Sequence, residues 1–199
     1  MADIILNAFI FLVTVILVIL MFRKDGQWVP ERGKKAFRFY TVQSNCLCAA
    51  VSLLMALAAL AGPVLQWVWT LKYIGTTAVT VTMLTVFLFL APSIGKDWFQ
   101  VLIRGTSNAF MHVLTPLMAL VSFCLLEKRG MSFLQCLWGM LPVVLYGPLY
   151  LYRIIYAPEE KRWEDFYGFN KGGKWPVAFT GMVIGTFLIC LGIMVLQNL

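Results

Sequence analysis

Long apolar runs alternate with short polar stretches along the whole chain, and the runs recur at 4–22, 37–60, 65–90, 108–126, 133–156 and 175–195. Each is near the roughly 20 residues that cross about 30 Å of hydrocarbon. Lipid cannot hydrogen-bond an exposed backbone, so every one of these spans is expected to be helical. The second run stops at the breaker Ala61-Gly62-Pro63 and the third at Ala91-Pro92, with the third's apolar core beginning only near Tyr73. The first run ends in Met21-Phe22-Arg23-Lys24, without a small-residue cleavage site, and reads as a retained helix. The expectation is an all-α integral membrane protein, a six-transmembrane-helix bundle forming one domain over residues 1–199. No fixed-period repeat or low-complexity tract interrupts it.

Composition agrees, with 61% hydrophobic and 13% charged residues in 199. Six spans use about 120 residues and leave roughly 80 for connections, too few for a second domain. The formal charge of +7 comes from residues in short juxtamembrane connections, which points to anionic lipid headgroups as partners and not to nucleic acid. Counted by connection, thirteen Lys and Arg fall on the odd-numbered side and three, Lys72 among them, on the other. Cytoplasmic loops are enriched in these residues, so the odd-numbered loops are expected to be cytoplasmic and both termini outside. The five cysteines all fall in apolar runs, without metal-ligand spacing, and read as free thiols packed as small hydrophobes.

Polar groups inside spans are costly and therefore informative. One cluster, Tyr40-Thr41-Val42-Gln43-Ser44-Asn45, opens the second span, with Thr41, Ser44 and Asn45 on one helical face. Another surrounds His112, the single histidine, with Asn108 one turn before it and Thr115 and Pro116 one turn after. The second and fourth spans start from the same membrane side, so both clusters lie about one turn below the same interface. A lone Thr or His in a membrane helix is ordinarily structural. Their shared depth raises the alternative of an alcohol nucleophile with an imidazole to take its proton. One histidine excludes HExxH zinc, bis-histidine haem and histidine-rich di-iron sites, and no Walker loop or GxGxxG is present, so neither metal nor cofactor is expected. No Asp or Glu is expected deep in a span, with Asp97 and Glu127 read as solvated caps at span ends.

Phe39-Tyr40-Thr41-Val42-Gln43-Ser44-Asn45, His112 followed by Pro116, and Asp165-Phe-Tyr-Gly-Phe-Asn170 together resemble the bacterial branch of a family of small polytopic proteins. That family includes the animal androgen-induced protein and the androgen-dependent TFPI-regulating protein. Its animal members are threonine hydrolases of fatty acid esters of hydroxy fatty acids. The resemblance implies an intramembrane lipid esterase in a bacterial inner membrane, acting on a membrane lipid or fatty acid ester, with Thr41 as nucleophile and His112 as general base. Gln43, Ser44 and Asn45 are the expected oxyanion donors. A backbone carbonyl, Asn108 or a tyrosine would orient the imidazole. The connection 157–174 mixes charge and aromatics and reads either as an interfacial anchor or as a lid contacting substrate through Asp165, Tyr167 and Asn170. The competing expectation is a non-catalytic lipid-binding or small-solute carrier.

Overall fold

The computed structural model describes all 199 residues, Met1–Leu199. Its helices are α1 (Ala2–Met21), α2 (Pro30–Ala36), α3 (Tyr40–Ala61), α4 (Gln66–Leu102), α5 (Thr106–Leu126), α6 (Phe133–Tyr156) and α7 (Trp175–Asn198). All except α2 are long and apolar enough to cross a membrane, the pattern of an integral membrane bundle. Aliphatic side chains on the outer faces, such as Leu12, Ile16, Leu60, Leu145 and Leu188, stay exposed, as lipid contact requires.

Between α1 and α2 the chain makes a small hairpin, β1 (Arg23–Lys24) against β2 (Gln27–Trp28). Asp25 and Gly26 turn it with φ of 51° and 80°, the left-handed pair that an Asp-Gly dipeptide supplies in a tight hairpin. Phe22 stacks on Trp28 at 5.1 Å, and Gly33 of α2 lies so close to the Phe22 ring that a Cβ there would meet it at 2.2 Å. The hairpin therefore folds the short basic helix α2 back over the end of α1.

α3 and α4 approach closely at Gly75, where a Cβ would lie 2.5 Å from Val51 and 3.1 Å from the Cys48 backbone. A second core gathers Trp69, Tyr73 and Phe123, with ring centroids 4.9 and 5.7 Å apart, together with Cys136 and Cys190. All five cysteines are free thiols.

The third span differs from expectation at Pro92. The helix does not stop there but runs on to Gly95, bends, and finishes as a short turn of helix over Trp98–Leu102. A π turn over Val86–Leu90 precedes the proline, widening the helix so that the N–H the ring lacks is not missed in the α ladder. α5 repeats the device, with a π turn over Phe110–Leu114 just before Pro116. These two irregular stretches shape the site.

Candidate functional site

Thr41 and His112 line one pocket of about 260 Å³, together with Met21, Arg32, Ala36, Phe39, Val42, Asn108 and Met111. α1, α2, α3 and α5 each contribute to its wall. Arg32 supplies the single formal charge and is itself steadied by donating to the Arg23 carbonyl. Arg32 was not singled out in the sequence, because its place over α3 depends on the Asp25-Gly26 turn.

His112 sits inside the π turn of α5, partly buried. Its Nδ1 lies 2.5 Å from the Leu102 carbonyl at the end of α4. A carbonyl oxygen only accepts, so Nδ1 carries the proton and Nε2 is left as the acceptor. The bend at Gly95 matters here, since it brings the terminal turn Trp98–Leu102 beside α5. Asn108, the alternative orienting group, directs its amide to the carbonyls of Val101 and Arg104 at 3.3 and 3.4 Å. It lines the pocket and makes no hydrogen bond to the imidazole.

Thr41 occupies the first turn of α3, half-buried. No backbone carbonyl accepts from its N–H, one of the donors that a helix start leaves over, and both its hydroxyl and its N–H lie against the Tyr167 phenol. Tyr40, one residue earlier, donates its N–H to the Tyr167 hydroxyl at 2.9 Å.

The three residues expected as oxyanion donors do not line the pocket. Gln43 donates to the Phe37 carbonyl at 2.8 Å, capping the approach to α3. Ser44 is buried against α4, 2.8 Å from the Thr82 hydroxyl. Asn45 is fully buried between α3 and α5, with its amide donating to the carbonyls of Thr41 and Met111 at 2.8 and 3.0 Å. Residues three or four apart share a face only approximately, and Ser44 falls on the side claimed by α4.

Asp165, Tyr167 and Asn170 also lie outside the pocket wall. The Asp165 carboxylate accepts from the Tyr150 hydroxyl at 2.9 Å and from the N–H groups of Phe169 and Asn170 at 2.9 and 2.8 Å. Around Tyr150 pack Trp163, Phe166, Tyr167 and Phe169, with centroids 5.1 to 6.4 Å away. Burial holds the Tyr167 phenol above its ordinary pKa, against donors that include the Tyr40 N–H, so it remains a neutral hydroxyl. The connection is thus fastened to α6 and to the start of α3, behind Thr41. Asp165→Ala removes three bonds at once. Asp165 is exposed and water replaces much of each bond, so a net loss of about 1.5–3 kcal/mol, the worth of one hydrogen bond to a charged group, is expected to accelerate trypsin cleavage at the exposed Lys161, Arg162, Lys171 and Lys174 roughly ten- to a hundredfold.

A second polar group lies near the opposite end of the bundle and corrects two expectations. Lys72 is not in a connection but wholly buried in α4, and Glu127 is not a solvated cap but 6% exposed. Lys72 donates to Asn7 at 2.6 Å and to Ser52 at 2.8 Å. Asn7 in turn donates to Glu127 at 2.5 Å, and Ser122 donates to the same carboxylate oxygen at 2.6 Å. Trp69 donates its indole N–H to the Glu127 carbonyl at 2.8 Å. Gln197 and Asn198 of α7 hold the adjoining turn through Arg129 and Met131. An apolar layer of Ile10, Cys48, Val79 and Ala119 forms a separate core cluster alongside this network.

No grouping of His, Cys, Asp and Glu could hold a metal ion. No family model, curated protein or solved structure matches the chain.

Proposed function

We propose that this protein is an intramembrane lipid esterase whose nucleophile is Thr41 and whose general base is His112. The observation that carries the reading is the pocket they share, lined by a threonine at a helix start and by an imidazole whose Nδ1 is held on a carbonyl, leaving Nε2 as its acceptor. In the first step Nε2 takes the Thr41 hydroxyl proton as Oγ1 attacks the ester carbonyl carbon. The oxyanion is met by the Thr41 N–H, which no backbone carbonyl occupies, and by the positive end of the α3 dipole, a role that passes from Gln43, Ser44 and Asn45 to the backbone. The imidazolium then protonates the departing alkoxide, leaving an acyl-threonine. Water, deprotonated by the same Nε2, attacks this ester and returns the hydroxyl.

The apolar wall of Met21, Phe39, Val42 and Met111 suits an acyl chain entering from the bilayer, with Arg32 toward the headgroup region. The motif resemblance to the androgen-induced protein family supports the same chemistry. With Lys72 inside α4, the basic count becomes thirteen against two, which strengthens a cytoplasmic placement of the pocket end in a bacterial inner membrane.

The test is reaction of purified protein with a fluorophosphonate probe, together with hydrolysis of a panel of lipid esters. Wild type is expected to be labelled at Thr41 and to hydrolyse at least one ester. Thr41→Ala should do neither while inserting normally, and equal labelling of both proteins would sink the proposal. A second reading, a small-solute carrier, is favoured by one observation, the buried Lys72–Asn7–Glu127 chain, because ionisable residues inside membranes commonly mark translocation paths. A carrier's threonine would not react with the probe.

A further inference from the structure

Pro116 leaves a carbonyl without a backbone donor, and the consequence reaches both proposed catalytic residues. In the π turn over Phe110–Leu114, the Thr115 N–H bonds the Phe110 carbonyl. The next donor in that register would be residue 116, which as proline has no N–H, so the Met111 carbonyl has no partner within its own helix. A buried carbonyl left in that state costs free energy comparable to a lost hydrogen bond. The donor comes from another span: the Asn45 amide reaches the Met111 carbonyl at 3.0 Å and, with the same nitrogen, the Thr41 carbonyl at 2.8 Å. Two carbonyl acceptors fix which way the amide faces, because only its NH2 can point at them.

Resting on the ester-hydrolase reading, we propose that Asn45 is a positioning residue that clamps the backbone of Thr41 to the backbone beside His112, and that Pro116 creates the carbonyl it grips. Asn45 is fully buried and does not itself line the pocket, reaching its wall only through the backbone carbonyls of Thr41 and Met111. Its effect on chemistry therefore runs entirely through the separation of the two helices at this level. Met111 precedes His112, so the clamp sets where Nε2 stands relative to the Thr41 hydroxyl. Near-attack geometry is lost by displacements of about 1 Å, which lower rates roughly a hundredfold. The same π-turn-and-proline arrangement at Val86–Leu90 and Pro92 has no side chain bonded to the corresponding Phe87 carbonyl, so the cross-helix clamp belongs to the site and not to the prolines in general.

The experiment compares full-length wild type, Asn45→Ala and Asn45→Ala/Pro116→Ala in detergent, reading thermal unfolding and the rate of fluorophosphonate labelling. Asn45→Ala is expected to lower the unfolding midpoint and to slow labelling about a hundredfold. In the double variant the new N–H at position 116 can meet the Met111 carbonyl, so the midpoint should recover while labelling stays slow, the link to Thr41 still being absent. Recovery of both together would make Asn45 merely structural and overturn the proposal, as would wild-type labelling in Asn45→Ala. Where the single variant does not accumulate, labelling of the double variant decides alone: slow supports the clamp and wild-type speed overturns it. A wild-type protein inert to the probe would overturn the threonine-nucleophile reading instead. The unfolding midpoints would then still decide the pairing, since no recovery in the double variant removes the Met111 contact from the argument.

Discussion

Lys72→Met is expected to be among the most destabilising substitutions in the chain, at about 3–5 kcal/mol, and to be largely repaired by adding Glu127→Gln. The two charges do not touch. Asn7 stands between them, accepting from the ammonium at 2.6 Å and donating to the carboxylate at 2.5 Å. Removing only the ammonium strands a carboxylate that is 6% exposed, with one oxygen already without a donor. Removing both charges keeps a neutral acceptor for Asn7 and Ser122 and ends the desolvation cost. Thermal unfolding is followed by tryptophan emission, to which Trp69, buried and bonded to the Glu127 carbonyl, contributes along with six others. A loss of that size corresponds to roughly 10 °C or more in the midpoint for a domain of this length. A double variant no more stable than Lys72→Met would mean that the residues do not act as a pair, and a single variant of wild-type stability would remove the network from the energetics altogether.

That network also marks where reading the chain alone fails. The six spans were legible because about 20 consecutive apolar residues have one inexpensive solution in lipid. Burial of Lys72 was not, because it depends on Asn7, 65 positions away in sequence, and on a serine in a third helix. A lysine near the start of a run looks like a flanking charge until its acceptors are in place. The same holds for Glu127, whose partners come from α1 and from Ser122 one turn back. Pro92 was read as a stop, since a proline removes an α-helical bond. The π turn before it absorbs that loss, and such a turn has no plain sequence signature. Its consequence reaches the candidate site, for the helix that continues past Pro92 ends at Leu102, whose carbonyl His112 bonds. What the chain did disclose was that Thr41 and His112 lie at one depth, and the structure has both lining one pocket. Equal depth on helices entering from one side is a constraint along the membrane normal, and it holds without knowledge of which helices are neighbours. Which face each residue presents is a rotational matter, so the same reasoning could not separate Thr41, which lines the pocket, from Ser44, which faces α4.

Thr41→Ala, His112→Ala and the double variant are expected to lose ester hydrolysis to nearly the same extent, roughly 10⁴-fold or more each. Nucleophile and base act as one unit, so once either is gone the other has nothing left to contribute. If their effects instead multiplied, each residue would be acting independently, as pocket-lining groups that merely bind substrate would. The two singles should still differ in one respect. Thr41→Ala removes the atom that forms the acyl bond, so no fluorophosphonate adduct can form, whereas His112→Ala keeps the hydroxyl and should label slowly at high probe concentration. Thr41→Ser is the sharper instrument. It retains the hydroxyl but drops the β-methyl that restricts χ1, and at a helix start the freed rotamer competes between the pocket and the backbone. Partial activity is expected, with kcat lowered and KM little changed, because in the proposed mechanism the apolar wall of Met21, Phe39, Val42 and Met111 would hold the acyl chain and the nucleophile would not. A rise in KM at constant kcat would place position 41 among the binding contacts and leave the catalytic assignment without its nucleophile.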